Sequence, residues 1–516
     1  MTSEFFEKYR HKIVTLDALQ AIIGTYPRQK TAIMCHGVFD VVHPGHVRHL
    51  AYAKSKADVL IASITADRHI KKGAYRPHVP EQLRALNLAA FEMIDFVIID
   101  TKAKPLDNIR ALQPDYFAKG FEYTSTGLPS STQEEVDIVE GYGGEMIFTP
   151  GDVVYSSTNL INLELPQIQM EKLLMLMREQ DISFDDLRTT LDNLKGKRVH
   201  VVGDTIVDSY TRSTLIGGQT KTPTFSVLYQ GCDNYIGGAG IVAQHLRAAG
   251  AEVVFSTVLG DDALKEFVMK GLKESGVDCK AIIDKTRPTV NKNAIIAGGY
   301  RLLKIDTLDN RIISDHIRDT LIEAIKTTPT DAVVFSDFRH GIFNRNTAEL
   351  LTEAIPVNVY RVADSQVASR WGNITDFKDF DLITPNEREA RFAMADQEST
   401  VGGLGGSLVK ETGSKLLILK MGDRGVFVLG ALDKHGDENF FSIDSFANNV
   451  IDAVGAGDAL LSYATLSMMA TGKPVIAAIL GSMAAACECE FDGNIPIKPE
   501  DVLRKIDAVE KIANYE

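Results

Sequence analysis

The sequence predicts an α/β protein made of two doubly wound parallel-sheet domains, the second carrying a small β flap. Three observations predict it. Short apolar runs alternate with amphipathic helical segments along most of the 516 residues. The alternation breaks at residues 166–195, where charged helical segments occur without a strand. A stretch rich in Thr, Gly and β-formers, residues 213–235, separates the first strand of the second series from its helix. A chain of this length is expected to form two or more domains. The boundaries fall at 1–165, 166–195 and 196–516.

In the first series, Leu16, Leu19, Ile22 and Ile23 share one face of a helical preamble. Thr31–Cys35 reads as a buried strand running into His36–His46, with a helix on to Lys54. Strands are expected at 58–64, 96–99, 115–118 and 145–148, and helices at 81–93, 106–112 and 132–142. Residues 170–178 and 184–194 are helical segments with one apolar face, which suits a connector or a packing surface for a partner subunit. A homodimer is the assembly that face admits. The second series opens at Arg198-Val-His-Val-Val-Gly. Further strands are expected at 253–258, 332–336, 358–363, 382–384 and 416–419.

Composition narrows the function. Hydrophobic residues make up 45% and charged residues 24%, an ordinary globular balance. The formal net charge of −14 argues against a nucleic-acid or anionic-membrane partner, so phosphate substrates would need local basic sites. Five cysteines make no disulfide framework, and Cys487-x-Cys489 reads as buried thiols. The first eight residues lack a signal-peptide layout, and Val475–Cys487 is too short and Ala-rich to span a bilayer. A reducing cytoplasm is the expected setting.

Two stretches carry chemistry. His43 and His46, three apart at a helix start after a strand, lie on one face of the first turn, beside exposed N–H groups and the positive dipole end. Gly37 and Gly45 allow close backbone approach. The arrangement suits a triphosphate; a metal reading lacks a nearby Cys or Glu to complete the ligand set. In Asp452-Ala-Val-Gly-Ala-Gly-Asp458, small residues precede an acid and an apolar run. It reads either as a glycine turn capped by Asp458 or as a phosphate-binding turn with Asp458 as proton acceptor.

The first stretch belongs to a longer pattern: Gly37-x-Phe39-Asp40-x-x-His43-x-Gly45-His46, Lys72-Gly73 with Arg76-Pro77, Lys119-Gly120-x-x-Tyr123, and Tyr155-Ser156-Ser157-Thr158-x-x-Ile161. It resembles the cytidylyltransferase-like nucleotidyltransferases, whose domains are Rossmann-like. The resemblance implies that His43 and His46 contact the triphosphate and the transition state, and that Lys72 neutralises phosphate charge. It places Gly37, Phe39 and Lys119 at the nucleotide, and Ser156, Ser157 and Thr158 on the β- and γ-phosphates. His36 stands where the closest bifunctional relatives usually carry Asn.

Residues 197–510 resemble the ribokinase-type sugar kinases through Gly203-Asp204-x-x-x-Asp208, Gly237-Gly238-Ala239, Thr384-Pro385-Asn386-x-x-Glu389, Lys420-x-Gly422-x-x-Gly425 and the 452–458 heptad. The resemblance implies Asp458 as catalytic base and Gly455, Ala456 and Gly457 as the anion hole. Asn386, Glu389 and Gly422 fall on the nucleotide side, with Glu389 reaching Mg²⁺ indirectly. Asp208, Gly237, Gly238, Lys292, Arg301 and Lys304 fall on the sugar-phosphate side. Ile241 stands where the family usually has Asn. Together the halves resemble the bifunctional heptose kinase/adenylyltransferases, in reversed order. That implies ATP or another NTP with Mg²⁺, a sugar phosphate, kinase transfer to C1 of a heptose 7-phosphate, and AMP transfer to a sugar 1-phosphate. Two alternatives stay open: CTP-dependent activation of a polyol phosphate, and a chain in which one half only senses or scaffolds.

Overall fold

The computed structural model describes residues 7–42, 44–70, 77–120, 130–149, 166–216, 225–366, 373–430, 440–447 and 450–515. The chain divides into two compact units, residues 1–172 and 173–515.

In the first unit, β1 (Ala32–Gly37), β2 (Val59–Thr65), β3 (Phe96–Asp100), β4 (Tyr116–Gly120) and β5 (Glu145–Thr149) form one sheet. All strands are parallel, in the order β3-β2-β1-β4-β5. The central strands β1 and β2 are apolar on both faces because each face is covered. Ile33 and Cys35 pack with Leu60, Ala62 and Ile64 on one side. Ala32 and Met34 pack with Ile61 on the other. This is why the strands read as continuous apolar runs rather than alternations. Helices α1 (Leu16–Ile23), α2 (Pro44–Lys54), α3 (Glu81–Ala89), α4 (Leu106–Leu112) and α5 (Ser130–Gly141) supply the covers. Leu50 of α2 and Leu88 of α3 serve the first face. Leu19, Ile109 and Val139 serve the second. The order reverses between β1 and β4, where the carboxyl ends of the strands open a crevice.

Residues 166–195 contain α6 (Pro166–Glu179) and α7 (Phe184–Asp192). A capping box between Ser183 and Asp186 starts α7. Arg188 of α7 pairs with Asp507 at 2.8 Å and with Glu510, both on the C-terminal helix Pro499–Tyr515. That half of the segment is therefore packed into the second unit.

The second unit adds β6 (Arg198–Gly203), β7 (Thr205–Leu215), β8 (Val227–Gly238), β9 (Glu252–Leu259), β10 (Asp278–Ile283), β11 (Val290–Ala297), β12 (Tyr300–Thr307), β13 (Ala332–Asp337), β14 (Tyr360–Ser365), β15 (Leu382–Ile383), β16 (Leu416–Lys420), β17 (Val426–Gly430) and β18 (Phe440–Ile443). The main sheet runs β10-β9-β6-β13-β14-β15-β16-β17-β18. It is parallel through β16 and closes with the antiparallel β17 and β18. Val202, Phe335, Ala363, Ile383 and Leu417 lie in one shared core on a face of it.

The flap is larger than residues 213–235 alone suggest. β7 and β8 pair antiparallel from Thr205↔Gly238 to Leu215↔Val227. β11 joins β7 in parallel and β12 joins β11, giving the order β12-β11-β7-β8. The register sets Lys292 beside Asp208 and Ala294 beside both Tyr210 and Lys304. Residues opposite one another share a face, so acid and lysines project from the same side.

Candidate functional site

Helix α8 (Ala456–Thr471) follows the heptad's glycine turn. Gly455 is its N-cap at φ 87°, a conformation glycine adopts without penalty. A Cβ there would come within 2.8 Å of Asn494 Oδ1 and of Glu488 Oε1. Asp458 sits in the first turn, its N–H bonded to the Gly455 carbonyl at 2.9 Å. Its side chain is 6% exposed, and Oδ1 has no hydrogen-bond partner among the described residues. Burial, reinforced by Asp364, pushes its carboxyl up to about 8, against the pull of Lys420. An acid held this way can take a proton from a neighbouring hydroxyl near neutral pH.

Lys420 ends β16 and reaches the same place. Its Nζ donates to both oxygens of Asp364, at 3.0 and 3.1 Å, and Thr384 Oγ1 donates to Asp364 at 3.2 Å. A Cβ on Gly457 would lie 3.2 Å from that ammonium. Burial opposes the lysine's charge, but Asp364, Glu389 and Asp458 hold its pKa above the ordinary value. A cation beside a helix N-terminus is a place for phosphoryl oxygens.

On the flap side, Asn494 Nδ2 donates to Asp208 Oδ2 at 2.9 Å. Burial raises the Asp208 pKa, and Lys292 and Asn494 oppose the rise. Burial and then Lys304 lower that of Lys292. Arg301 donates to Asp452 at 2.8 Å and lies over the Tyr210 ring at 5.2 Å, while Tyr210 donates to the same Asp452 oxygen at 2.8 Å. The paired glycines have separate reasons. A Cβ on Gly237 would stand 2.1 Å from Asp208 Oδ2; Gly238 has φ 60° and leaves no room beside the Asp204 carbonyl. Ile241 is wholly buried in the core and offers nothing to a ligand.

Both groups of residues line one cavity of about 810 Å³. Its wall includes Asp208, Gly238, Lys292, Arg301 and Lys304 from the flap side, and Asn386, Gly422, Gly455, Ala456, Gly457 and Asp458 from the sheet side. Asn386 and Glu389 form a capping box at the start of Glu387–Met394: Asn386 Oδ1 accepts from the Glu389 N–H, and Glu389 Oε2 accepts from the Asn386 N–H. Asn386 reaches the cavity wall; Glu389 is buried behind it. Lys420, Asp364, Asp452, Tyr210 and Asn494 were not among the predicted site residues. Only Lys420 and Asp452 had a signal, through the motifs that contain them.

In the first unit, Gly37 ends β1 and Phe39 follows at φ 49°. The Phe39 ring packs against that of His46, centroids 5.1 Å apart. Asp40 Oδ1 accepts the N–H groups of His78 and Val79 at 2.8 and 2.9 Å. Lys119 is half-buried and paired with Glu135, and its Nζ donates to Thr132 Oγ1 at 3.2 Å. Arg84 is fully buried and bonded to the Val38, Thr65 and Val79 carbonyls and to Asp67. His36 contacts Ser63 Oγ at 3.0 Å and Thr65 Oγ1 at 3.2 Å. Burial, aided by Lys119, lowers its pKa to about 3. His43, Lys72, Ser156, Ser157 and Thr158 lie outside the described residues.

Comparison with known proteins agrees with this division. Residues 34–163 match the family described as Cytidylyltransferase-like. Relatives named Bifunctional protein HldE from Geobacter metallireducens and Hyphomonas neptunium are 38% identical over 154 residues and 37% identical over 149. These alignments cover 29% and 28% of this chain, and 30% of each relative's length. Escherichia coli phosphofructokinase-2 in complex with potassium superposes with a TM-score of 0.51 at 15% identity, covering 61% of this chain and 99% of that one. The likeness is one of fold. No helix among the described residues is long and apolar enough to cross a membrane. Residues 197–500, well over half the chain, match the pfkB family carbohydrate kinases, and the chain belongs to that family.

Proposed function

We propose that the chain is a bifunctional enzyme of nucleotide-activated sugar synthesis. Its second unit phosphorylates C1 of a heptose 7-phosphate with ATP. Its first unit transfers AMP to a sugar 1-phosphate and releases pyrophosphate. The observation that carries the reading is the single cavity of about 810 Å³ lined by both the flap residues around Asp208 and the helix N-terminus with Asp458.

In the kinase step, Asp208 accepts hydrogen bonds from acceptor hydroxyls, while Lys292, Lys304 and Arg301 form the basic side suited to the acceptor's own phosphate. Asp458 takes the proton of the attacking hydroxyl as its oxygen bonds to the γ-phosphorus and ADP departs. The Gly455–Gly457 turn and Lys420 face the charge carried by the moving phosphoryl group. Mg²⁺ would neutralise phosphate charge. It would arrive on the nucleotide's phosphates, with Glu389 reaching it indirectly. In the transferase step, His46, with His43, stabilises charge as the sugar phosphate attacks the α-phosphate and pyrophosphate leaves. The partners are small molecules, not nucleic acid or membrane; the setting is cytoplasmic and the assembly a homodimer.

Mass spectrometry of products from heptose 7-phosphate with ATP or CTP, and from a panel of sugar and alditol phosphates, tests the reading. Sugar bisphosphate from the first mixture and a nucleoside diphosphate sugar from a sugar 1-phosphate are expected. Neither product with any pair would refute it; a CDP-alditol alone would replace the acceptor and base.

A further inference from the structure

Asn494 joins two parts of the kinase cavity that chemistry must align. It follows Gly493, just beyond helix α9 (Pro474–Glu488), and is held by its neighbours. The Ile495 N–H donates to Glu488 Oε1 at 3.1 Å, and the Ile497 N–H to His245 Nδ1 at 3.0 Å. Its side chain is 7% exposed and belongs to the cavity wall. Nδ2 donates to Asp208 Oδ2 at 2.9 Å and to the Ile236 carbonyl at 3.4 Å. Oδ1 is buried without a hydrogen-bond partner among the described residues, and lies against Gly455, where a Cβ would be 2.8 Å away. An unsatisfied buried acceptor costs stability that a purely structural amide would recover from a fixed donor.

We propose that Asn494 is a specificity-determining residue of the acceptor subsite, fixing Asp208 through Nδ2 and offering Oδ1 to a hydroxyl of a polyhydroxylated acceptor. The inference rests on the kinase reading above. Asp208 needs an orienting donor because the lysines beside it can pull its carboxylate toward the basic side of the flap. With Asn494 in place, one oxygen is anchored and the other is left for the substrate. The same amide touches the Gly455 turn, so acceptor hydroxyls and phosphoryl group are registered against one side chain.

The test uses the whole chain, with ADP release measured while heptose 7-phosphate and ATP are varied in turn. Asn494→Asp keeps the shape, loses the donor and adds charge beside Asp208. It is expected to raise the acceptor KM about tenfold or more, with the ATP KM within about twofold. Asn494→Ala should shift the same constant in the same direction. An unchanged acceptor KM in both variants, or an equal rise in both constants with a lower Tm, overturns the proposal while leaving the kinase reading intact. No turnover of any sugar phosphate by the unmutated chain overturns both.

Discussion

The buried polar groups of the two units differ in how far they are paired. In the first unit, His36 meets two hydroxyls, Lys119 pairs with Glu135, and Arg84 bonds three carbonyls and a carboxylate, while Asp40 and Asp100 each keep one buried oxygen without a hydrogen-bond partner among the described residues. In the second, Asp458 keeps a bare oxygen in a cavity that Lys420 also lines, with Asp364 paired to that lysine behind the wall. The difference teaches where to look for pre-organised charge. A paired edge holds a fold together. A buried acid left unpaired stores a cost that only a ligand or a proton removes.

That contrast can be broken most strongly at Lys420. Lys420→Met should lower the kinase kcat about 100-fold, with pyrophosphate release from the first unit unchanged. Because the single change strands Asp364, the neutral pair Asp364→Asn with Lys420→Met supplies the control. It should recover thermal stability and stay inactive. Recovered turnover in the pair would reduce Lys420 to a counterion.

The next effect is conformational. Gly455→Ala forces a side chain onto φ 87° and against Asn494 and Glu488. A loss of roughly 1–3 kcal/mol is expected from strain at such a position, read as an earlier denaturation midpoint.

pH sharpens the comparison. Asp458 must be ionised to act, so the kinase kcat/KM should climb nearly tenfold per pH unit below about 8 and level above it. His36, held near 3, should contribute no ionisation between pH 6 and 8 in the transferase reaction. A flat kinase profile across that window would remove Asp458 from the base role.

Stability should move oppositely. The folded pKa of Asp458 lies above its ordinary value of 3.8, so the folded state binds the extra proton between about 4 and 8. Its contribution is fully present below that window and is lost as pH rises through it. Asp458→Asn should therefore raise Tm at pH 8 by about 2–5 °C, the smallest of these effects.

Much of this was legible in the sequence, for physical reasons that differ by element. Both sheets announced themselves because strands covered on two faces must be continuously apolar, as in Ala32–Cys35. The heptad was readable because a positive-φ turn before a helix leaves glycine in the chain. β11 and β12 were not assigned to the flap. The partner of β11, β7, lies some eighty residues away, and β12, which pairs with β11, is largely exposed, so no periodicity marks it. Asp364 and Asn494 carried no local sign, because each gains meaning only from a partner brought in by folding: Lys420 for one, Asp208 for the other. Asn386 and Glu389 illustrate the reverse. Their i, i+3 spacing suggested a phosphate site, and the same spacing makes a capping box.

The central claim is that one chain carries two independent transfer reactions, one of them centred on Asp458. Parallel assays of Asp458→Asn test it most directly: ADP release from ATP and heptose 7-phosphate, and pyrophosphate release from NTP and a sugar 1-phosphate. Loss of the first by about 1,000-fold with the second retained is the predicted result. Loss of both together, or retention of the first, would contradict it.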